Sequence, residues 1–308
     1  MSTVSIIVPV YNAAPYLVQC LDALVEQMQP GWRLIIVDDG STDGSSDLCQ
    51  GFCDRATLLR TPHLGQSAAR NKGLTYADTD YVTFCDADDM YLPGALSLMV
   101  PILDRQSECG IAVGGYTRRY DIRPVELSDA VTITDAVTAI TDTLYQKPGY
   151  HNSVWATLYR REIFDGIRFA EGRYYEDLEI TPRLYRRAGK IAYIRSTVYF
   201  YRPNPTSYIN TWNESRADAV WATRSILSFV SIHCPDAIAA ARSRLFSAAF
   251  NIFILAMRNG RADIADECWY IIRQLRSHML TDRNVRLKNK AGAALSFIGK
   301  AACGRLVR

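Results

Sequence analysis

Three aspartates stand within four residues, directly after an apolar stretch of the chain. Asp86, Asp88 and Asp89 follow residues 81–85, whose composition is typical of a buried strand. Negative charges this close repel one another unless they share a positive group, and their oxygens suit a hard divalent cation. Such a cation keeps coordination positions open for substrate phosphates, so the cluster predicts a phosphate-bearing substrate. The alternative is that Asp88 or Asp89 caps a helix opened by Pro93.

A second pair of acids ends another apolar stretch. Asp38 and Asp39 follow residues 34–37 and lead into a turn that contains Gly40 and Ser41. In open α/β sheets ligands bind beyond the carboxyl ends of the strands, so we expect the two acidic strand ends to line one crevice. Turn chemistry accounts for Gly40 and Ser41 but not for Asp38, which is predicted to accept a hydrogen bond from a base or ribose.

Strand and helix patterns alternate from the beginning of the chain. Strands are predicted at residues 4–10, 34–37, 57–60 and 81–85, with helices at 14–27, 45–53 and 66–76 between them. This alternation is typical of a parallel sheet. No G-x-G-x-x-G follows a strand and no Walker A sequence occurs, so a nucleotide would bind through acids and a metal.

The later sequence changes character. Strands are predicted near residues 111–120 and 191–201, with a helix at 178–188 between them. From Ser215 onward apolar residues recur at steps of three and four, which predicts a small helical appendage with a break at Asn259-Gly260.

Five motifs, in their order, resemble the inverting family 2 glycosyltransferases, and the resemblance covers residues 4 to about 210. They are Val8-Pro9-Val10-Tyr11-Asn12, Val37-Asp38-Asp39-Gly40-Ser41-Thr42-Asp43, Ala69-Arg70-Asn71-Lys72-Gly73, Phe84-Cys85-Asp86-Ala87-Asp88-Asp89 and Glu176-Asp177. The resemblance implies the α/β GT-A fold, a Rossmann-like nucleotide-binding sheet fused to an acceptor-binding half. We therefore predict a GT-A domain at 1–210 (nucleotide-sugar half 1–110, acceptor half 111–210), a helical appendage at 211–282 and a tail at 283–308.

The resemblance also implies roles for single residues. Tyr11 and Asp38 would contact the base of a nucleotide sugar, and Arg70 would lie near the base or the diphosphate. Asp86 would face the ribose and sugar, and Asp88 would bind a Mn²⁺ or Mg²⁺ ion that bridges the diphosphate. Four neighbours are expected to complete the nucleotide-sugar site: Pro9, Asn12, Asp39 and Ala87.

The acids Glu176 and Asp177 precede the predicted helix at 178–188. Adjacent acids at a helix N-terminus often cap it, since they meet unpaired N–H groups and the positive end of the dipole. In the resembling family the second acid is the general base, a role that falls to Asp177 here. A carboxylate that removes the proton of an acceptor hydroxyl would make one inverting displacement possible.

Three further residues are weaker candidates for acceptor or donor contacts. Trp155 lies in a segment that matches the family's W-x-x-L-Y-[KR] pattern and would stack on a sugar face, although core packing is the commoner role of an aromatic residue. Arg202 matches a Y-x-Y-R-x(n)-S segment that ends at Ser207, and it would pair with a diphosphate or form a structural ion pair. Glu176 is the third.

Composition limits the function classes. The 308 residues are 48% hydrophobic and 22% charged, as in an ordinary globular chain. Eight cysteines occur without a C-x-x-C pair, so we expect reduced thiols. No signal peptide is recognised and no apolar run is long enough to span a bilayer, which predicts a cytoplasmic protein.

The positive charge is concentrated at the end of the chain. Residues 283–308 carry seven Lys or Arg and no acid, although the net charge of the whole chain is only +3. Apolar residues recur in this tail at helical spacing: Leu295, Ile298, Ala302 and Leu306. The pattern predicts a basic amphipathic helix on the inner, anionic membrane surface, the alternative being a solvated terminal helix.

These observations and the resemblance predict a metal-dependent transfer of sugar to a saccharide or lipid-linked saccharide during cell-surface polysaccharide synthesis. The resemblance alone implies that the donor is a UDP-sugar. No nucleic-acid partner is expected. The alternatives are a catalytically silent nucleotide-sugar-binding protein and a metal-dependent phosphatase. A phosphatase of the Asp-x-Asp type needs its nucleophile on the opening strand, which here ends in Pro9-Val10-Tyr11-Asn12. A glycoside hydrolase would not need an acidic nucleotide crevice.

Overall fold

The computed structural model describes residues 2–120, 130–204 and 212–306, so Ser207 lies outside the described residues. The chain forms two compact units. The first contains Met1–Ala136, Ser153–Gly172 and Arg183–Pro203, and the second contains Val137–Asn152, Arg173–Pro182 and Asn204–Arg308. Three segments of the predicted acceptor half, the last of which begins at Asn204, thus belong to the second, helical unit. The functional division into a nucleotide-sugar half and an acceptor half stays a prediction.

The first unit opens with alternating strands and helices, as the sequence predicts. They are β1 (Val4–Val10), α1 (Ala14–Val25), β2 (Arg33–Asp38), α2 (Ser45–Gln50), β3 (Thr57–Arg60), α3 (Gln66–Leu74) and β4 (Tyr81–Phe84). All of β1 is buried, as expected for a central strand of a sheet covered on both faces. It pairs in parallel with both β2 and β4, and β3 pairs in parallel with β2.

The rest of the sheet is mixed. It contains β5 (Met90–Tyr91), β6 (Cys109–Thr117), β7 (Val131–Asp135), β8 (Thr157–Arg160) and β9 (Lys190–Phe200), and the helix α4 (Ala95–Arg105) follows β5. The strand order is β3-β2-β1-β4-β8-β6-β9-β5, and β7 also pairs with β9. The sequence did not predict β5, β7 or β8. Antiparallel β8 continues the Rossmann-like half, and the α/β class is confirmed.

Strand register decides where the acids lie. Val10 at the end of β1 pairs with Asp38 at the end of β2, and Ile7 of β1 pairs with Phe84 at the end of β4. The carboxyl ends of these parallel strands therefore meet at one edge of the sheet. The residues that follow them lie along that edge, as predicted for a ligand crevice.

The second unit is helical. It includes α5 (Ala136–Tyr145) apart from its first residue, the first part of α6 (Glu176–Ala188), and the helices that follow the sheet: α7 (Asp218–His233), α8 (Ile238–Arg258), α9 (Ala262–Thr281), α10 (Leu287–Leu295) and α11 (Lys300–Leu306). Helix α9 starts after Asn259-Gly260, where the sequence predicted a break. Helix α8 packs against α7, α9 and α10, so it forms the centre of this unit.

One helical stretch of the described chain, Pro235–Arg258, is long and apolar enough to cross a membrane. This differs from the prediction that no apolar run reaches such a length, because Arg242 and Arg244 interrupt the run in the sequence. Half of the stretch is buried inside the protein. A buried core helix passes the same test of length and composition, so the stretch is weak evidence for a membrane span.

The tail does not form the single helix that its apolar spacing predicts. Gly299 has a φ of +97°, which ends the helical stretch after Ile298 and separates α10 from α11. The tail also packs against α8: a Cβ on Gly292 would lie 3.1 Å from the Phe250 ring, and one on Gly304 would lie 2.5 Å from Met257 Cε. The side chain of Leu306 and residues 307–308 lie outside the description.

Helix α3 approaches β1 so closely that only glycine fits at Gly73. A Cβ there would lie 2.5 Å from Ile7 Cγ2, and Ile7 is fully buried. We expect Gly73→Ala to lower the free energy of unfolding by about 1–3 kcal/mol, since overpacking outweighs the helix propensity gained. Chemical denaturation measures this change.

A double-mutant cycle separates the clash from other effects. Ile7→Ala removes the crowded methyl group, so the Gly73→Ala/Ile7→Ala protein should be more stable than the sum of the single losses predicts, by more than about 0.5 kcal/mol. Strictly additive losses would contradict a steric cause.

Candidate active site

The first strand is followed by Tyr11, whose ring is exposed, and by Asn12, whose backbone conformation is strained. Tyr11 is 46% exposed and stacks on the His63 imidazole, with ring centroids 3.9 Å apart and planes 19° apart. Asn12 has a φ of +49°, a left-handed conformation that asparagine tolerates better than most residues. Its side-chain oxygen accepts the Thr42 N–H at 2.8 Å, and its own N–H donates to Ser41 Oγ at 3.1 Å. Asn12 therefore ties the end of β1 to the turn after β2.

Asp38 is buried and holds that turn. Its Oδ1 accepts the Ser41 N–H at 3.0 Å, and its Oδ2 accepts the Ser46 hydroxyl at 2.7 Å. The interpretation that turn chemistry leaves Asp38 unexplained was wrong, because the side chain itself closes the turn. A carboxylate has further acceptor positions, so the contact with a base or ribose stays a prediction.

Asp39 shapes the loop that follows β3. Its Oδ1 accepts the Thr61 hydroxyl at 2.6 Å and the Leu64 N–H at 2.8 Å, and its Oδ2 accepts the Gly65 N–H at 2.7 Å. The same oxygen lies 3.4 Å from Nδ1 of His63. Asp39 therefore positions the imidazole on which Tyr11 stacks. Sequence reasoning found no role for His63, because only this loop brings it to the first strand end.

Asp86, directly beyond β4, pairs with a buried arginine. Its Oδ1 accepts hydrogen bonds from Arg70 Nη2 at 2.8 Å and from the Gln66 side-chain amide at 3.0 Å. The Arg70 side chain is 3% exposed, and its guanidinium lies 5.5 Å from the centre of the Phe169 ring. Arg70 thus fixes the Asp86 carboxylate from helix α3. The predicted contact of Arg70 with a base or diphosphate stays a prediction.

Arg202 braces the remaining two acids. Its backbone N–H donates to Asp89 Oδ1 at 2.8 Å, its Nε donates to the Asp88 carbonyl at 2.7 Å, and its Nη2 donates to Gln19 at 2.7 Å. These bonds shape the loop after β4. The capping alternative is wrong, because α4 starts only at Ala95 with Gly94 as its N-cap.

The acid cluster is electrostatically strained. Asp89 is 1% exposed, and its Oδ2 is buried without a hydrogen-bond partner among the described residues. Burial, with the charges of Asp86 and Asp88, raises the pKa of Asp89 to about 8. Within the described ranges no three His, Cys, Asp or Glu side chains form a metal-binding group by themselves. A cation that also takes ligands from a substrate fits this excess of negative potential.

Three other predicted contacts are buried. Pro9 and Ala87 have buried side chains beside the strand ends. Trp155 is 8% exposed and stacks with both Tyr199 and Tyr201, at centroid distances of 4.8 and 5.4 Å. Its stacking partners are thus the protein's own aromatic rings, as the core-packing alternative holds.

The second unit contains Glu176 and Asp177 in the first turn of α6. Asp177 is half-buried, its Oδ1 accepts the Leu178 N–H at 2.6 Å, and its Oδ2 lies 3.5 Å from the Asn152 amide nitrogen. Glu176 is buried. The bond to Leu178 is of the kind that the capping alternative expects, whereas the exposed part of the carboxylate leaves room for a proton transfer. Asp177 as general base stays a prediction.

Several residues with a strained backbone conformation lie at or next to the predicted site residues. Five described residues other than glycine have a positive φ: Asn12, His63, Gln146, Ala156 and Tyr175. Such conformations cost about 1–3 kcal/mol each and cluster at active sites. Ala156 follows Trp155 and Tyr175 precedes Glu176, so strain occurs beside motifs that the sequence had selected for other reasons.

Known proteins share this sequence and architecture. Residues 5–168, just over half of the chain, match the family model described as Glycosyl transferase family 2. Over 228 residues the chain is 32% identical to glycosyltransferase GlyA of Streptococcus pneumoniae serotype 4, an overlap of 68% of this chain and 32% of GlyA. The chain therefore aligns with about a third of the length of that relative.

Two solved structures have the same fold. S. aureus TarS 1–349 in complex with UDP-GlcNAc aligns with a TM-score of 0.68 at 20% identity, covering 100% of this chain and 90% of the other. Mannosyltransferase PcManGT of Pyrobaculum calidifontis, in complex with GDP-Man and Mn²⁺, aligns with a TM-score of 0.55 at 16% identity, covering 99% and 83%. The predicted GT-A fold is thereby confirmed. The chain belongs to glycosyl transferase family 2, and the class of enzyme predicted from its motifs, a glycosyltransferase, is confirmed.

Proposed function

We propose that the protein transfers a sugar, with inversion, from a nucleoside-diphosphate sugar to a saccharide or lipid-linked saccharide in cell-surface polysaccharide synthesis. The observation that carries the proposal is the strand edge on which Tyr11, the Asp38 turn and the Arg70–Asp86 pair follow parallel strands. UDP is the favoured nucleotide, because TarS binds UDP-GlcNAc, whereas PcManGT binds GDP-Man.

In this proposal each side chain along that strand edge of the first unit has a role in binding the donor. The exposed Tyr11 ring, held by His63, is a platform for a base, and Asp38 accepts from the base or ribose beside it. Asp86, fixed by Arg70, accepts from the ribose and the sugar. The Asp39 carboxylate already receives three hydrogen bonds from its own loop, so it acts by positioning His63.

The acids after β4 suit Mn²⁺ or Mg²⁺, with Asp88 as the protein ligand. When bound, such an ion offsets the negative charge that develops on a departing diphosphate. Arg202 holds the Asp88 backbone and so orients this loop. PcManGT, which has the same fold, contains Mn²⁺ together with GDP-Man.

Asp177 is the proposed general base. A hydroxyl is a poor nucleophile until a positioned carboxylate removes its proton as the new bond forms. The side chain is half-buried, and the Asn152 amide lies beside one oxygen, so its orientation is restrained. A single displacement of this kind inverts the anomeric configuration.

The proposed place of the reaction is the cytoplasmic face of the membrane. All eight cysteines are free, as expected of a reducing compartment. In the tail, Leu287 is 84% exposed, Phe297 51% and Ile298 53%, beside the basic residues. Exposed apolar and basic groups together favour peripheral binding to an anionic bilayer.

The role of Asp88 is tested by Asp88→Asn. We expect Mn²⁺-dependent binding of UDP to weaken on the order of tenfold or more, because the ion loses its charged ligand, while the thermal unfolding curve keeps its shape. Titration calorimetry with UDP and Mn²⁺ measures the affinity. Asp47→Asn, which neutralises an exposed acid on α2, is the matched control. Parent-like affinity in Asp88→Asn would show that the ligand lies elsewhere.

The role of Asp177 is tested by Asp177→Asn. The donor is a UDP-sugar chosen because it raises the thermal stability of the parent protein. We expect the rate of UDP release from this donor to fall by about 10²-fold or more, while the affinity for the donor stays unchanged. If Asp177 only capped the helix, the variant would instead lose about 0.5–2 kcal/mol of folding stability and would keep its turnover. Glu162→Gln, which neutralises an exposed acid in the 3-10 helix Arg161–Phe164, is the control. A parent protein that binds the donor but releases no UDP would be catalytically silent.

Membrane binding is tested by replacing Leu287, Phe297 and Ile298 with serine in the full-length protein. Truncation is unsuitable, because the tail packs against α8. We expect flotation with phosphatidylglycerol vesicles to fall about fivefold or more, as salt-insensitive apolar burial is lost. The control replaces Ile232 and Tyr270, which are 74% and 64% exposed outside the tail. Equal flotation of both variants would refute a membrane-binding tail.

A further inference from the structure

The second unit contains a cavity of about 420 Å³ beside the first turn of α6. Tyr175 and Leu178, which flank the two acids of that turn, line it. The remaining walls come from α7, α8, the α10 region and the end of α5. A cavity of this volume is large enough for a small polar ligand or for one group of a larger substrate.

Three cations line this cavity, and none of its described lining residues is acidic. They are Arg244 on α8, Arg286 directly before α10, and Lys288 on α10. None of the three forms an ion pair with a described residue. Among the described residues, the Arg286 side chain donates to Ser247 Oγ alone, at 3.1 Å. Two amide side chains, Asn251 and Asn289, supply further hydrogen-bonding groups.

Among these cations, Arg244 is unfavourably placed without an anion. Arg244 Nε is buried and has no hydrogen-bond partner within the described chain. Burial and the neighbouring charge of Arg286 lower the pKa of Arg244 to about 10. Burial also lowers the pKa of Lys288, with the charges of Arg286 and Arg244 adding to the effect. Proteins retain such groups where a charged ligand compensates them.

We infer that this cavity binds a phosphate group of the acceptor. The inference rests on the proposed function, since Asp177 is the proposed base of the acceptor hydroxyl. Asp177 also lies close enough to stabilise the charge on Arg244. Two guanidinium groups and an ammonium group match the oxygens of a phosphate ester or diphosphate. The apolar wall of Leu178, Phe250 and Ile254 suits the carbon skeleton attached to it.

The test uses full-length protein saturated with UDP and Mn²⁺, so that the donor site is filled. Inorganic pyrophosphate is titrated by calorimetry into the parent and into Arg244→Gln/Lys288→Gln. We expect the double variant to bind at least about tenfold more weakly, because two charge-assisted contacts are lost. Arg244→Lys, which keeps the charge, should retain most of the affinity. Arg283→Gln, which removes an exposed cation outside the cavity, should bind like the parent.

Two further probes distinguish the source of the phosphate. Binding of sn-glycerol 3-phosphate would indicate a phosphate ester of a soluble or polymeric acceptor. Binding only to neutral phosphatidylcholine vesicles that carry a polyprenyl diphosphate would indicate a lipid-linked acceptor. Either result supports the inference if Arg244→Gln/Lys288→Gln abolishes it and Arg283→Gln does not.

The inference is overturned if the parent binds none of the three probes, or if the double variant binds them like the parent. The donor titration keeps this failure separate from failure of the proposed function. If UDP and Mn²⁺ bind while pyrophosphate does not, only the phosphate cavity is wrong. If the parent binds neither UDP nor GDP with Mn²⁺, the proposed function itself fails.

Discussion

The site in the first unit depends on one buried ion pair, Arg70 with Asp86. A buried guanidinium is tolerated only when it is paired, so the pair fixes α3 against the end of β4. Gly73, one turn further along α3, lets the helix approach β1 closely enough for Arg70 to reach Asp86. The same contact that holds the helix on the sheet therefore also sets the direction of the carboxylate at the strand edge.

Some acids along that edge hold the loops in place, whereas others are available for chemistry. Asp38 and Asp39 accept five hydrogen bonds from their own loops, and these bonds hold the turn and His63 in place. Asp89 keeps one buried oxygen without a partner among the described residues. Loop-building acids thus adjoin a carboxyl group whose ionised form is disfavoured by burial and by its acidic neighbours. That strain, rather than the number of acids, is what favours the proposed cation.

The sequence predicts the parts of this architecture that local periodicity determines. The early strands and helices, the acids at their ends and the break at Gly260 all follow from short-range patterns. It does not predict β8, whose four residues show no alternation, or the stack around Trp155, which only sheet pairing assembles. The His63 contact, and the meeting of Arg244 with Arg286 and Lys288 of the basic tail, each join distant segments, so no local pattern shows them. Gly299 ends the first helical stretch of the tail, and the spacing of the apolar residues does not indicate this break.

The overall charge of the chain conceals two opposite local imbalances. The strand edge of the first unit brings Asp86, Asp88 and Asp89 close together, whereas the cavity of the second unit contains Arg244, Arg286 and Lys288 without an ion-paired acid in the described chain. Folding alone would favour pairing such groups internally, because unpaired buried charge costs stability. Each unit instead keeps an excess of one sign. Under the proposed function, a metal-bound diphosphate and a phosphorylated acceptor would supply the missing charge to both, which would give one physical reason for both imbalances.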